Sequence, residues 1–194
     1  MSFWTENTTE PKRNFRWRVS IFGTFATDAQ TAAVWWAKTV DTPSYQVTDI
    51  THSFFDNEFK FPGRVQWQDV AMTLVDPISP NAAQLTNQII LNSGYTIKGL
   101  SEFAGNPTSI TKSGANTAVG DVVIDIFDGA GNAVESWTMH NPFIQSVKFS
   151  SLDYTNDEMR TIDLNWKYDW ASCENLSSEF GDKIQFPRPG QSRS

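Results

Sequence analysis

The sequence has little that catalysis or metal binding would need. Cys173 is the one cysteine among 194 residues, so an intrachain disulfide and every multi-cysteine metal site are excluded. The two histidines, His52 and His140, lie in no HxH or HExxH spacing, and the GxSxG, GxxxxGK[ST] and GxGxxG motifs are absent. Spacing nominates no nucleophile, base and orienting group. We therefore expect no enzyme activity, no metal and no other cofactor.

Long apolar runs and positive charge are also scarce. No stretch approaches the roughly 18 apolar residues of a membrane span, and the amino terminus lacks the apolar core of a signal peptide. We therefore expect assembly in a cytoplasm and no membrane partner. The net charge is −7, from 22 acidic and 15 basic residues. This balance argues against a surface that grips nucleic acid phosphates.

Aromatic residues and alternating patterns are abundant. Eight Trp and fourteen Phe favour β-structure, because aromatic side chains fit a pleated surface. Residues 159–170 alternate apolar and polar side chains, which predicts a long, half-buried strand. Its apolar positions are Ile162, Leu164, Trp166, Tyr168 and Trp170. Similar patterns predict strands at 14–25, 34–40, 45–55, 65–75, 121–128, 133–140 and 144–150.

Turn and helix signals divide these strands. Pro62-Gly63 predicts a turn within a long hairpin whose tip projects. Residues 79–92 predict the one helix, with Ser79 as its cap. The Gly-, Ser- and Asn-rich segment 101–120 predicts a long loop. We expect a leader at 1–13, one domain at 14–170 that contains this loop, and a C-terminal extension at 171–194.

Four segments in this order resemble the tail tube proteins of contractile-tailed bacteriophages, the family of the T4-like tube subunit. FRWRVSI (15–21) resembles the opening strand of that family, and KTVDTPSY (38–45) its second strand and turn. FFDNEFKFPGRVQWQDVAMTLVD (54–76) resembles its long hairpin and the strand leading to the helix. SLDYTNDEMRTIDLNWKYDW (151–170) resembles its closing segment.

The resemblance implies a mainly β subunit, an antiparallel sandwich or barrel-like fold with one flanking helix. Six subunits would form a ring whose inner strands close into a continuous β-barrel, and rings would stack into the inner tail tube of the virion. The implied partners are further copies of the chain, the tail sheath protein, and the baseplate and tail terminator proteins. The tape measure protein and the DNA would pass through the lumen without sequence-specific binding.

The resemblance also suggests site residues. The hairpin segment 56–64 would bridge stacked rings, with polar contacts from Asp56, Glu58, Lys60 and Arg64; the alternative is a solvated turn. Changing Lys60 and Arg64 to Glu would then weaken stacking and leave the fold intact. Candidates for lumen or inter-subunit charge are Asp121, Asp125, Asp163 and Asp169, and alternation does not say which face is inside. Candidates for core or interface aromatics are Trp17, Trp67, Trp166, Tyr168 and Trp170.

Three alternatives remain. A tube-initiating or baseplate ring protein of the same fold would form the same ring but bind a different layer on one side. A bacterial secretion-system tube protein would build similar rings. A carbohydrate-binding β-sandwich would instead be a monomer that stacks sugars on Trp35 or Trp67.

Overall fold

The computed structural model describes residues 11–23, 37–78, 81–95, 109–155 and 157–175. The strands are β1 (Trp17–Ile21), β2 (Ala37–Val40), β3 (Tyr45–Phe54), β4 (Asn57–Trp67), β5 (Val70–Val75), β6 (Val122–Phe127), β7 (Ala133–His140), β8 (Phe143–Phe149), β9 (Thr161–Lys167) and β10 (Trp170–Asn175). The helices are α1 (Ala82–Asn92) and α2 (Lys112–Val119). Within these ranges neither helix is long and apolar enough to cross a membrane.

The strands form two four-stranded sheets and a hairpin, and every pair is antiparallel. Sheet A has the order β1-β6-β7-β10, and sheet B has the order β2-β5-β9-β8. Among the described strands, β3 and β4 pair only with each other, as an extension of the β2 and β5 end of sheet B. The predicted mainly β, antiparallel fold is confirmed.

The core lies between sheets A and B. Sheet A contributes Val19, Ile124 and Met139, whereas sheet B contributes Met72 and Trp166, and all five are essentially inaccessible to solvent. Helices α1 and α2 contact each other and add apolar residues to the same cluster. Two sheets that cover each other's apolar faces are the ordinary solution for a β-sandwich. Fold stability therefore rests on this two-layer body.

Strand β9 shows why alternation predicted the fold. Ile162, Leu164 and Trp166 are buried between the sheets, while Asp163 between them is exposed. The predicted single strand at 159–170 is too long, however. It ends at Lys167, the chain turns, and Trp170 begins β10, which pairs with β7 in sheet A. Strand β10 therefore continues past residue 170, where the sequence places the end of the domain.

The predicted loop at 101–120 is wrong at its C-terminal half, where α2 forms. Thr111 caps this helix by accepting a hydrogen bond from the Gly114 N–H at 3.0 Å, and Gly120 ends it with φ of 65°. Gly, Asn and Thr have low helix propensity, so the sequence pattern does not predict this helix. Burial of Ala118 and Val119 in the core offsets the low helix propensity of the segment. Residues 101–108 lie outside the described ranges.

Two other predicted boundaries need correction. Asn81, and not Ser79, caps α1, because its side chain accepts a hydrogen bond from the Gln84 N–H at 2.8 Å. The strand predicted at 65–75 is two strands, β4 and β5, separated at Gln68 and Asp69. Residues 24–25, 34–36 and the tail from 176 onward lie outside the described ranges.

Candidate functional site

The β3–β4 hairpin carries an uncovered apolar face. The register pairs Ile50 with Phe61, His52 with Phe59 and Phe54 with Asn57, and the ladder places these three pairs on the same side of the ribbon. Phe61 keeps 55% of its surface exposed. We define the hairpin apolar face as Ile50, Phe54, Phe59 and Phe61. Tyr45, Val47, Val65 and Trp67 lie on the other side of the ribbon, near its base. A contiguous apolar surface of this kind marks an interaction site.

The base of the ribbon continues from sheet B and contacts its core through Tyr168. At the base of the hairpin the Gln68 N–H donates to the Ser44 carbonyl at 2.9 Å, which joins the ribbon to the sheet. The Trp67 ring lies 5.3 Å from Tyr45 and 5.9 Å from Tyr168, and Tyr168 packs against the core. Beyond this cluster no described part of sheet A covers the ribbon. The hairpin is therefore one layer of a sandwich without its second layer.

A β-bulge in β4 interrupts the ladder between the base and the outer part of the hairpin. The register moves from the pair Val47 and Val65 to the pair Asp49 and Pro62, which leaves Thr48 between them. The Thr48 hydroxyl accepts from the Arg64 N–H at 2.9 Å and lies 3.2 Å from the Arg64 carbonyl. The extra residue lies in β4, opposite Thr48, so the alternation shifts by one residue in β4 and continues unchanged in β3. Phe59 and Phe61 therefore lie on the opposite side of the ribbon from Val65 and Trp67.

Gly63 permits this close approach of the two strands. A Cβ atom at position 63 would lie 2.4 Å from the Thr48 hydroxyl oxygen and 2.9 Å from the Thr48 carbonyl oxygen. The predicted turn at Pro62-Gly63 is therefore wrong. Both residues lie inside β4 at the bulge, a position in which a strand tolerates proline.

The turn itself is at Phe55 and Asp56. Phe54 pairs with Asn57, and Phe55 has a positive φ of 53°. Glycine is the usual residue at such a turn position, and a bulky residue there carries backbone strain. Phe55 is nevertheless 88% exposed, in edge-to-face contact with Phe54 at 4.6 Å. A strained and solvent-exposed aromatic residue at the tip suggests a role in binding.

Comparison with known proteins agrees with the sequence resemblance. No model of a protein family matches the chain. The tail tube protein of Serratia phage KSP90 is 27% identical over 148 residues, which cover 73% of this chain and 76% of that protein. The chain is a homologue of a phage tail tube protein. The predicted structural, non-enzymatic role is confirmed.

Solved structures share the fold of this tail tube homologue. A chain of the anti-feeding prophage baseplate superposes with a TM-score of 0.62 at 9% identity, over 87% of this chain and 99% of that chain. The tube-terminating cap of the same particle gives 0.61 at 17% identity, over 88% and 95%. A chain of the sheath–tube complex of an extracellular contractile injection system, PVC, gives 0.58 at 16%, over 91% and 99%.

The predicted stacking residues of the tail tube homologue do not form one tip. Asp56 lies in the turn, whereas Glu58 and Lys60 lie on β4 and pair with Ser53 and Thr51. Those positions alternate with the hairpin apolar face and therefore point to the opposite side of the ribbon. Arg64 lies at the bulge. Their part in stacking remains a prediction.

Two of the predicted charges lie on the outer face of sheet A. Asp125 is buried and accepts hydrogen bonds from Arg18 at 2.8 Å and from Ser136 at 2.9 Å. Asp121 Oδ1 lies 3.9 Å from His140 Nδ1. The charge of Asp125 is therefore balanced within the subunit.

The other two predicted charges belong to sheet B and to the turn after it. Asp163 is exposed on the outer face and accepts a hydrogen bond from the Thr73 hydroxyl at 2.8 Å. Asp169 lies in the β9–β10 turn and accepts from Lys112 at 2.6 Å and from Asn141 at 2.8 Å. Burial acts to raise the pKa of Asp169, but these hydrogen bonds outweigh it and lower the pKa. The four acids do not form a single stripe.

A Ser–His–Asp row is also present on sheet A. His140 Nε2 lies 2.9 Å from the Ser172 hydroxyl, and the imidazole stacks on Trp170 at 5.0 Å. The 3.9 Å to Asp121 is longer than a hydrogen bond, so the carboxylate does not fix the imidazole as a catalytic triad requires. Like the neighbouring row of Arg18, Asp125 and Ser136, this row consists of polar contacts between side chains on adjacent strands.

The predicted aromatic residues have different environments. Trp166 is fully buried, and Trp17 packs against the core. Trp67 and Tyr168 form the base of the hairpin, while Trp170 lies beside His140. Trp35, proposed for sugar stacking, lies outside the described ranges. Trp67 has aromatic neighbours on two sides, so little of its ring is available to a glycan.

Sequence reasoning identified a hairpin but missed its uncovered face. The signal was present in Phe59 and Phe61 on one strand and in Ile50 and Phe54 on the other, because each pair is separated by an even number of residues. It was obscured because the Pro62-Gly63 dipeptide resembles a turn and because the bulge at Thr48 breaks simple alternation.

Proposed function

We propose that this chain is the subunit of the inner tube of a contractile phage tail, in which hexameric rings stack into a hollow virion tube that conducts the genome. The observation that carries this proposal is the hairpin apolar face. Its exposed aromatic side chains and the tip residue Phe55 each present on the order of 100 Å² of apolar surface. Together they present several hundred Å², an exposed patch of the size that marks an interaction site.

Open sheet edges support lateral assembly into a ring. Among the described residues, β2 and β8 of sheet B each pair with one strand only, and the same holds for β1 and β10 of sheet A. An unpaired edge is a template for another chain, and closure into a ring removes it. In the proposed ring, the edge of one subunit pairs with the opposite edge of its neighbour.

The outer face of sheet B is proposed to line the lumen. Its cross-strand rows consist of polar or small side chains, with Thr73 beside Asp163 and Ala71 beside Asn165. Asp69 and Lys167 approach to 3.8 Å across the same sheet. A face in which acids and bases balance would not hold many DNA phosphates, so the genome could slide past it. Asp163 would then be a lumen residue, whereas Asp125 would lie on the outer side.

The proposed partners follow from the same assembly. Sheath protein would surround the tube, a terminator would end it, and a baseplate would start it. The relatives described above come from a sheath–tube complex, a tube-terminating cap and a baseplate. The tape measure protein and DNA would occupy the lumen without sequence-specific contacts.

Negative-stain electron microscopy of the purified protein across a range of concentrations tests this proposal. We expect hollow tubes with sixfold end views and lengths that increase with concentration. Isolated rings that never stack would favour the tube-initiating ring protein. A monomer at the highest concentration would contradict the assembly proposal.

A further inference from the structure

A cavity of about 450 Å³ lies between the sheets, where the edge strand β1 of sheet A faces the edge strand β2 of sheet B. Its inner wall is apolar, with Trp17 and Ile126 from sheet A and Val40 from sheet B. Trp17 and Val40 pack against the core but remain only half-buried. The described residues therefore leave the core incompletely covered at this edge.

Charged side chains of both signs surround the mouth of this cavity. Lys12 and Arg13 precede β1, and Asp41 follows β2. Lys12 forms an ion pair with Glu135. Arg13 and Asp41 have no ion-pair partner among the described residues. A well-matched occupant would therefore combine an apolar side chain with a carboxylate and a cation close to it in sequence.

The last described strand ends beside this cavity. One cross-strand row of sheet A runs from Asn175 at the end of β10 through Glu135 and Ile126 to Trp17. Neighbouring strands are roughly 4.8 Å apart, so Asn175 lies about 10 Å from Ile126 and about 14 Å from Trp17. Five extended residues span about 17 Å. Phe180, the first aromatic residue after β10, is therefore within reach of the cavity.

We propose that this cavity binds residues 179–183 of the C-terminal extension of the same chain, with the ring of Phe180 inserted between the sheets. This segment reads EFGDK, so two acids and one lysine accompany the aromatic residue. The acids would pair with Arg13 and the lysine with Asp41. The extension would then complete the wall of the sandwich at the β1 and β2 edge. The contact lies within one chain and does not depend on tube assembly.

The N-terminal leader is the nearest competing segment. It joins the described chain at Pro11 and contains the aromatic residues Phe3 and Trp4. Its charged side chains are Glu6 and Glu10, so it offers no side-chain cation for the acid at the mouth. The C-terminal segment carries both signs and is the better match. Burial of the aromatic ring would provide most of the affinity, and the exposed charges would mainly select the segment.

An intrachain disulfide measures this contact in the full-length chain. Cys173 is replaced by serine, and Thr42→Cys at the mouth of the cavity is combined with Gly181→Cys beside Phe180. Equilibration with a glutathione redox buffer gives the effective concentration of the two thiols. A non-reducing denaturing gel with mass spectrometry shows whether the link lies within one chain. We expect a single-chain disulfide as the main product.

The matched control moves the first cysteine away from the cavity. Ala130 is exposed in the β6–β7 turn, at the same end of sheet A as Asn175, so an unbound extension would also reach it. In the same Cys173→Ser background, Ala130→Cys is combined with Gly181→Cys. We expect the effective concentration of the pair at the mouth to exceed that of this control pair by about tenfold.

Further substitutions test the roles of the aromatic ring and of the charges. In the chain with the cysteine pair at the mouth, Phe180→Ala should lower the effective concentration about tenfold, because it removes the buried ring. Arg13→Glu should lower it about two- to fivefold, since an exposed ion pair contributes little. Adding Glu179→Lys and Asp182→Lys to Arg13→Glu should restore it. Circular dichroism of each variant checks that the body is folded.

Four results would overturn the inference. The mouth and control pairs could give equal values, Phe180→Ala could have no effect, or the disulfide could form mainly between two chains. A higher value for Trp4→Cys than for Gly181→Cys, each combined with Thr42→Cys, would identify the leader as the occupant. Each value is measured on single denatured chains, so any of these results would leave the proposed tube function untouched. Failure of the wild-type chain to form rings or tubes would contradict that function and not this contact.

Discussion

The body and the hairpin use the same alternation of apolar and polar residues, but only the body covers its apolar face. Trp166 in β9 is fully buried between two sheets, whereas Phe61 in β4 keeps 55% of its surface exposed. We infer from this difference that the body is organised for folding and the hairpin for contact with another molecule.

The largest expected effect comes from truncating one aromatic residue in each region. Trp166→Ala removes a side chain from the closed core and should lower the free energy of unfolding by about 3–5 kcal/mol. Phe61→Ala removes a side chain with no second layer above it, so its cost should be below about 1 kcal/mol. Urea denaturation of the unassembled protein measures both values.

Assembly should respond in the opposite way. At a temperature where both proteins are folded, Phe61→Ala should reduce tube yield, while Trp166→Ala should reduce it only as far as the folded fraction falls. Equal stability losses in the two variants would mean that the hairpin is covered within the subunit, and the comparison would fail.

A pair of glycine substitutions should separate stability from assembly. In Gly63→Ala the new Cβ clashes with the Thr48 carbonyl oxygen, so the bulge must distort. Because this oxygen belongs to the backbone, Thr48→Ala would not relieve the clash. We expect little change in the unfolding midpoint and fewer, shorter tubes. Gly131 has φ of 87° with no atom within 4 Å of an added Cβ. Gly131→Ala should therefore cost about 1 kcal/mol through backbone strain and leave tube length unchanged.

Tube length by electron microscopy and thermal unfolding of the same samples check this prediction. If Gly63→Ala lowered stability as much as Gly131→Ala while tubes stayed normal, the bulge would belong to the folding of the body and not to assembly.

Sequence reasoning predicted the elements whose side chains follow one regular pattern. Strand β9 was predicted because apolar and polar side chains alternate along it. Strands β6 and β7 were predicted because a glycine-bearing turn separates two runs of strand-forming residues. Helix α2 was missed because its stability comes from contacts of Val119 in the core, which no local pattern shows.

The candidate site was predicted only in part, for a related reason. An alternating strand reveals that one face is apolar but not what covers it, so Phe61 and Trp166 are equivalent in the sequence. The turn was placed at Pro62 because proline and glycine usually end a strand. Here they form a bulge, and the true turn contains Phe55, which local preference would not choose.

The smallest expected effect concerns Tyr168, at the junction of the body and the hairpin. Burial, with a contribution from the Asp69 carboxylate, raises the pKa of Tyr168 from its ordinary value of 10 to about 12. The folded state thus favours the neutral phenol. This contribution to stability is complete below pH 10 and is lost as the pH rises from 10 to about 12. Tyr168→Phe should flatten the loss of stability in that window.

Urea midpoints at half-unit steps from pH 9 to 12 measure this effect, with Tyr154→Phe as the control because that side chain is fully exposed. If Tyr168→Phe followed the wild-type curve, the phenol would be hydrated and the junction open to solvent. A flatter curve, with tubes still formed at neutral pH, would show that the ring of Tyr168 supports Trp67 without its hydroxyl. Packing of Tyr168 and Trp67 would then contribute to the stability of the body, and only the part of the hairpin beyond Trp67 would be an uncovered surface.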